Sequence, residues 1–168
     1  MNKALIVIDV QKFFLDDKTK IVVGKIRSYL ENNIRRYSLV YFTVFKNDSD
    51  SPLWKISGWK ECVGSPDTDV CEEIKEFTNA NNLFYKNFLS ALKVPEIRAG
   101  LKEHNVSEVD LCGFDTYCCV LATAYDLFDE SIKPVVLENL TWSTSEEKLH
   151  KPAIQMLERN IGFVEKTE

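Results

Sequence analysis

Two adjacent cysteines, Cys118 and Cys119, stand where a predicted strand passes into a predicted helix. The strand covers residues 109–113 and the helix covers residues 116–128. A thiol at a helix N-terminus lies at the positive end of the helix dipole, which favours its thiolate. The free backbone N–H groups of the same turn can bind a developing oxyanion. The segment therefore predicts a cysteine nucleophile. Spacing alone does not choose between the two thiols, and the alternative is that both are small buried residues.

Two charged residues, Asp9 and Lys86, also follow predicted strands. Asp9 comes directly after the apolar run at residues 4–8, and Lys86 follows a shorter run at residues 83–85. A carboxylate in such a place can act as a general base, and a nearby ammonium can stabilise a thiolate. The simpler alternatives are a turn aspartate and a surface lysine whose amino group reaches water.

Strands and helices alternate along the chain. Apolar and β-branched runs predict strands at residues 4–8, 39–45, 83–85, 109–113, 134–138 and 161–164. Helical spacing predicts helices at residues 20–36, 70–77, 95–104, 116–128 and 145–160, the last one with a partial cap at Ser145. This alternation predicts a single three-layer α/β domain over residues 1–168, with a parallel sheet. Ligands of such sheets bind at the carboxyl ends of the strands, which is where the candidate residues lie.

The composition argues against several classes of protein. The chain has 168 residues, with 21 Lys and Arg against 26 Asp and Glu and a net charge of −5. A nucleic-acid-binding protein is normally basic, and no apolar run approaches the roughly 20 residues of a membrane span. We find no signal-peptide pattern, so we expect a cytoplasmic protein that binds neither nucleic acid nor membrane. The cysteines number five, an odd count that argues against a disulfide framework.

Three blocks of residues occur together in a recognisable order. They are Ile8-Asp9-Val10-Gln11 with Phe14, then Lys86 with Ser90-Ala91, then Gly113, Thr116, Cys119-Val120 and Thr123-Ala124. Together they resemble the isochorismatase-like cysteine hydrolases of the nicotinamidase/isochorismatase superfamily. The resemblance implies a Rossmann-type αβα fold whose six parallel strands have the order 3-2-1-4-5-6. We also expect a small-molecule substrate and a homo-oligomer.

The resemblance further implies a role for each candidate residue. It makes Cys119 rather than Cys118 the nucleophile, because the family's thiol lies three residues after the threonine and just before a valine. Asp9 becomes the general base, and Lys86 holds Asp9 and stabilises the thiolate. Backbone N–H groups of Asp115 and Cys119 become the oxyanion donors, with a cis peptide bond before Asp115.

The chain departs from the nicotinamidase-like members, which by this resemblance bind a metal through an aspartate and several histidines. Residues 43–66 contain no histidine. Asp48 and Asp50 alone make a poor site for zinc or iron, which prefer imidazole in this setting. We therefore expect no metal and no other cofactor.

Four aromatic residues fall in or next to predicted loops at the carboxyl edge of the sheet. They are Phe14, Trp54, Trp59 and Tyr117, of which two belong to the long polar stretch at residues 46–69. Long ordered loops are often functional. We interpret these four residues as substrate-binding, and their side chains favour an apolar or planar substrate.

The function that these patterns favour is a metal-independent cysteine hydrolase. It would cleave an amide-type C–N bond of a small molecule through a thioester on Cys119. The main alternative is a catalytically silent α/β binding or interaction module on the same scaffold. A vinyl-ether hydrolase is a weaker hypothesis, because that reaction does not need the thiol. A redox protein using Cys118 and Cys119 is weaker still, because the disulfide ring of adjacent cysteines would be strained.

Overall fold

Six parallel strands form one sheet at the centre of the protein. The computed structural model describes residues 2–144 and 147–167. The strands are β1 (Lys3–Ile8), β2 (Leu39–Phe45), β3 (Leu83–Lys86), β4 (Glu108–Phe114), β5 (Lys133–Trp142) and β6 (Val164–Glu165). Their order across the sheet is β3-β2-β1-β4-β5-β6, and every strand pair is parallel. The predicted fold class and strand order are confirmed.

Helices cover both faces of this sheet. They are α1 (Asp17–Asn33), α2 (Pro52–Lys55), α3 (Glu72–Lys75), α4 (Pro95–Glu103), α5 (Leu121–Asp129) and α6 (Glu147–Asn160). Helices α1 and α3 pack on one face, and α4, α5 and α6 pack on the other. Alternate residues of β1 reach the two apolar layers, which explains why its sequence is a continuous apolar run. No helix in the described ranges is long and apolar enough to cross a membrane.

Several element boundaries differ from those predicted. Helix α1 begins at Asp17 rather than at residue 20, because the Asp16 carboxylate accepts hydrogen bonds from the Lys18 and Thr19 amides and caps it. Strand β5 is longer than predicted and β6 is only two residues long. The short helix α2 inside the polar stretch was not predicted. The predicted cap at Ser145 lies outside the described residues.

The turn that follows β4 is wider than an ordinary helical turn. Residues Thr116–Val120 form a π-helical turn before α5 begins, whereas the spacing predicted a plain helix from residue 116. Such wide turns are frequent at functional sites. This turn carries both candidate thiols.

Gly113 allows β4 and β1 to approach closely beside the candidate site. Its φ angle is +107°, a region that side chains with a Cβ rarely occupy. A Cβ built at this position would lie 2.0 Å from the carbonyl oxygen of Ile8. Backbone atoms of a central strand cannot move aside cheaply, so only glycine fits here.

We expect the substitution Gly113→Ala to lower the free energy of unfolding by about 3 kcal/mol or more, through backbone strain and the clash with Ile8. The matched control is Gly24→Ala in α1, where an added Cβ meets nothing within 4 Å. That change should raise the free energy of unfolding by about 0.5–1 kcal/mol. Urea unfolding of both variants measures the difference, and a neutral Gly113→Ala would contradict the packing described here.

Candidate active site

Asp9 lies at the carboxyl end of β1 and is fully buried. Its φ angle of +52° is in the left-handed region, which aspartate tolerates better than most residues. The backbone N–H of Asp9 donates to the Thr43 carbonyl at 3.0 Å. The Thr43 hydroxyl donates to Asp9 Oδ1 at 2.7 Å. One carboxylate oxygen is thus fixed by the neighbouring strand, and the other is available to a different partner.

That partner is the ammonium group of Lys86, at the end of β3. Strand β2 separates β3 from β1, so the long lysine side chain must cross the end of β2, where its Nζ lies 5.1 Å from the centre of the Phe45 ring. Lys86 Nζ donates to Asp9 Oδ2 at 2.7 Å and to Cys119 Sγ at 3.4 Å. The side chains of Lys86 and Asp9 are both completely shielded from solvent.

Two backbone carbonyls complete the surroundings of this ammonium. Lys86 Nζ also donates to the carbonyl oxygens of Phe88 at 3.1 Å and Leu89 at 3.0 Å. Burial by itself would lower the pKa of Lys86, but the negative charge of Asp9 and the hydrogen bonds to Asp9 and Cys119 raise it above its ordinary value. The group therefore carries a positive charge at neutral pH.

Cys119 sits in the π-helical turn, which is held from several sides. The Asp115 carbonyl accepts hydrogen bonds from the Cys118 and Val120 amides, both at 3.1 Å. The Thr123 hydroxyl donates to the Cys119 carbonyl at 2.7 Å and accepts from the Ala91 amide at 3.0 Å. The thiol of Cys119 is therefore presented to Lys86 by a rigid turn.

Thr116 anchors the start of the same turn. Its hydroxyl is 2.8 Å from the Thr141 hydroxyl and 2.9 Å from His150 Nδ1. All three side chains are buried. Thr116 therefore fastens the turn to β5 and α6.

The two thiols of this turn differ in exposure and acidity. Cys119 is buried and Cys118 is half-buried. The hydrogen bond with Cys118 and burial both raise the pKa of Cys119, whereas the Lys86 ammonium lowers it. The same hydrogen bond lowers the pKa of Cys118. Since the net effect on Cys119 is a raised pKa, its resting form is the thiol, which needs a base before it can act as a nucleophile.

A cavity of about 310 Å³ opens beside Cys119 at the carboxyl edge of the sheet. Its lining consists of Phe13, Phe14, Phe45, Leu53, Trp59, Leu89, Asp115, Tyr117, Cys118, Cys119 and Thr144. Two larger surface cavities of about 700 and 940 Å³ lie elsewhere, and their linings contain none of the candidate residues. Three of the four predicted substrate-binding residues, Phe14, Trp59 and Tyr117, are in the lining.

Trp54 is the fourth predicted substrate-binding residue, and it does not belong to the lining of this cavity, so its role stays a prediction. It lies in α2, where successive side chains point in different directions around the helix. Leu53, its neighbour, lines the cavity instead. The indole ring of Trp54 packs under the Lys60 amino group, 5.5 Å from the ring centre.

Several lining residues were missed by sequence reasoning. Phe13 precedes the predicted Phe14, and Phe45 ends β2, so both could have been found from their place next to predicted elements. The side chains of Asp115 and Thr144 carry no such signal, since the resemblance gives a role only to the backbone N–H of Asp115. Cys118 is a candidate nucleophile in the sequence and lines the cavity in the structure.

Two buried amide side chains fix the polar stretch that supplies Trp59. Gln11 Nε2 donates to the carbonyls of Phe45 at 2.9 Å and Asp67 at 3.1 Å. Asn47 Nδ2 donates to the carbonyls of Trp59 at 2.9 Å and Glu61 at 3.1 Å. The stretch is therefore an ordered wall of the cavity.

The Asp115 carboxyl is held by one residue of the loop after β5. Its Oδ1 accepts from the Thr144 amide and its Oδ2 accepts from the Thr144 hydroxyl, both at 2.8 Å. Burial raises the pKa of Asp115 to about 6, although these hydrogen bonds oppose the change. The peptide bond between Phe114 and Asp115 is cis.

A family model described as Isochorismatase domain matches residues 3–168. The chain belongs to the isochorismatase family. This confirms the resemblance inferred from the three sequence blocks, and it makes the chain a member of a family of hydrolases. A search of curated protein sequences gave no match.

Solved structures of low sequence identity share the fold of this isochorismatase-family chain. A nicotinamidase/pyrazinamidase from Bacillus subtilis is 23% identical with a TM-score of 0.83, over 99% of this chain and 100% of that one. An N-carbamoylsarcosine amidase from Thermoplasma acidophilum is 22% identical with a TM-score of 0.83, over 99% and 96% of the two chains. A pyrazinamidase from Pyrococcus horikoshii, solved with zinc, is 18% identical with a TM-score of 0.79, over 99% and 100%.

The donor set of this chain does not fit a zinc or iron ion. Asp48 accepts hydrogen bonds from the Asn87 side chain at 3.1 Å and from the Asp50 amide at 2.8 Å. Asp50 itself pairs with Lys55 Nζ at 2.8 Å. Within residues 2–144 and 147–167, no three His, Cys, Asp or Glu side chains form a group that could hold a metal. Both acids thus serve local structure.

The raised pKa of Asp115 gives a prediction for stability. The carboxyl binds its proton more tightly in the folded chain, with a pKa of about 6 against an ordinary 3.8. Folded-state stability therefore falls as pH rises through this window, and the loss reaches about 3 kcal/mol above it. Asp115→Asn removes the titration and keeps groups that can bond Thr144. Its free energy of unfolding relative to wild type should increase by about 1 kcal/mol between about pH 5 and about pH 7.5.

Urea unfolding at the two pH values measures this increase. Asp129→Asn, at an exposed aspartate that ends α5, is the matched control and should show no such change. Parallel pH profiles for Asp115→Asn and wild type would mean that burial does not perturb this carboxyl.

Proposed function

We propose that this isochorismatase-family chain is a metal-independent cysteine hydrolase that cleaves a C–N bond of a small amide or ureide. The observation that carries the proposal is the position of Lys86 Nζ, which lies 2.7 Å from Asp9 Oδ2 and 3.4 Å from Cys119 Sγ. A base, a cation and a thiol thus share one water-excluded site next to a cavity. Such a combination is what nucleophilic catalysis by a thiol requires.

The reaction begins with removal of the thiol proton. Asp9 accepts the proton of Cys119, and the sulfur attacks the carbonyl carbon of the substrate. The positive charge of Lys86 stabilises the thiolate as it forms, because the site excludes water and the interaction is little screened. The product of this step is a tetrahedral intermediate with a negatively charged oxygen.

Backbone N–H groups of Asp115 and Cys119 stabilise that oxygen. The turn that carries Cys119 is held by hydrogen bonds to β5, α5 and α6, so its backbone amides are fixed before the charge develops. Donors fixed in advance need no reorganisation during the reaction, and each is worth roughly 10²–10³ in rate.

The intermediate then collapses in two stages. Asp9 gives its proton to the nitrogen, the C–N bond breaks, and the amine leaves while the acyl group stays on Cys119 as a thioester. Asp9 next accepts a proton from water, whose oxygen attacks the thioester carbonyl. Return of that proton to the sulfur releases the carboxylic acid and restores the thiol. General acid–base work of this kind typically contributes about 10²–10⁴-fold.

The nucleophile is tested by comparing the two neighbouring thiols. Cys119→Ala should lower amine release from a panel of small aromatic amides and ureides by at least about 10³-fold. Cys118→Ala is the matched control, since it removes a thiol that lines the same cavity without contacting Lys86 in any described hydrogen bond. It should change kcat/KM by about tenfold or less, because it removes one wall contact and a hydrogen bond to Cys119 but leaves Lys86 beside that thiol.

Mass spectrometry of the quenched reaction provides a second readout. The acyl group should be found on the peptide that contains both cysteines and should disappear in Cys119→Ala only. Acylation that survives Cys119→Ala and disappears in Cys118→Ala would reassign the nucleophile. Absence of amine release from every member of the panel would favour the silent binding module.

The metal independence of the reaction is tested by chelation. Asp48 and Asp50 have local partners and no histidine lies near them in the sequence, so no step depends on a bound ion. Amine release should therefore be unchanged after exhaustive dialysis against EDTA. Loss of activity that zinc or iron restores would contradict this part of the proposal.

A further inference from the structure

One wall of the cavity beside Cys119 is built from aromatic rings. The rings of Phe13 and Phe14 meet edge to face with centres 5.2 Å apart, and those of Phe13 and Trp59 meet with centres 5.6 Å apart. These contacts fix the rings against one another. Phe45 packs behind Trp59 at 5.9 Å and extends the same wall.

A single carboxyl group interrupts this apolar lining. Asp115 belongs to the cavity lining, and no Lys or Arg does among the described lining residues. Lys86, whose ammonium contacts the Cys119 thiol, is completely shielded and already bonded to Asp9 and two carbonyls. The charged group that the lining offers to a ligand is therefore negative.

We propose that this cavity selects a substrate that carries a positively charged nitrogen, which the Asp115 carboxylate and the aromatic wall receive together. The inference rests on the proposed function for the reaction, but it concerns which ligand enters. The substrate class is thus a planar amide or ureide with a protonated amine or amidinium group. Substrates that carry a carboxylate are disfavoured.

The carboxylate of Asp115 has unused hydrogen-bond acceptor positions for such a partner. Each carboxylate oxygen accepts one hydrogen bond from Thr144, and an ionised carboxylate has about four acceptor positions. Thr144 therefore orients the group without saturating it. Aromatic faces attract cations and repel anions through their quadrupole, so the wall strengthens the same preference.

The ionisation of Asp115 is consistent with this role. Burial raises its pKa to about 6, so the group is still ionised at neutral pH, in an environment that disfavours its charge. A cationic ligand would relieve that unfavourable burial. Groups that a fold keeps at a cost to its stability are frequently those that its function needs.

Ligand binding tests the inference without any turnover. Calorimetry compares benzylamine, which is protonated at neutral pH, with benzyl alcohol and benzoate as neutral and anionic counterparts. Wild type should bind benzylamine at least about tenfold more tightly than either counterpart, since the benzylammonium gains a hydrogen bond to a charged group. Asp115→Asn should abolish this preference, and Asp129→Asn should keep it.

Three results of the binding experiment would overturn the inference. They are no measurable binding of benzylamine, equal or tighter binding of benzyl alcohol or benzoate, and a preference that persists in Asp115→Asn. If Asp115→Asn does not fold, Asp115→Ser replaces it, since serine also lacks the charge. A purely structural role of Asp115 predicts that the preference for the cation survives either substitution.

Turnover separates the inference from the proposed function. The matched substrates are para-(aminomethyl)benzamide and para-(hydroxymethyl)benzamide, and kcat/KM for the first should exceed that for the second by at least about tenfold in wild type only. Hydrolysis of both without a preference overturns the inference and supports the proposed function. An Asp115-dependent preference in binding, with neither amide hydrolysed, supports the inference and counts against the proposed function.

Discussion

The buried pair of Lys86 and Asp9 is the interaction on which the rest of the site depends. Removing two charges from water is costly, and their attraction offsets the cost only when further hydrogen bonds complete the pair. Here the ammonium donates to two carbonyls after β3, and Asp9 accepts from Thr43 on β2. Because the cost of burying the two charges and the gain from their contacts largely cancel, the pair adds little to the stability of the sheet. Its contacts require the carboxyl ends of β1, β2 and β3 to lie close together at one edge of the sheet. The turn after β4 brings Cys119 to the same edge.

Sequence reasoning succeeded where position along a strand decides position in space. The apolar run before Asp9 fixed both the central strand and the edge at which its carboxylate emerges, and the same logic applied to Lys86. Sequence reasoning was weaker for loops. In the short helix α2, a difference of one position decides that Leu53 rather than Trp54 lines the cavity. The same reasoning also missed the π-helical turn, whose first residue, Thr116, makes buried contacts with residues 25 and 34 positions away that no local pattern reports.

The sequence predicts a role for the backbone of Asp115 but gives no indication of the surroundings of its side chain. Asp115 comes directly after β4, so its place in the chain is sufficient to expect its backbone N–H near the thiol of the following turn. Its carboxyl depends on Thr144, a residue 29 positions later in the chain. Only the fold reveals that this acid lines the same cavity as the aromatic rings, and the position of Trp59 among them depends on Gln11 and Asn47 holding a loop that has no regular pattern.

The two halves of the site are consequently under different physical constraints. In the proposed reaction, the half that handles the proton and the thiolate is built from the strand ends that carry Asp9 and Lys86, and a change there disturbs a buried charge pair or a close contact between strands. The half proposed to meet the ligand is built largely from a loop anchored by amide side chains to backbone carbonyls, and its lining can vary while those anchors remain. A chain of this fold can therefore keep one reaction while its lining determines which charge a substrate carries. In this chain the lining combines one acidic residue, Asp115, with aromatic rings.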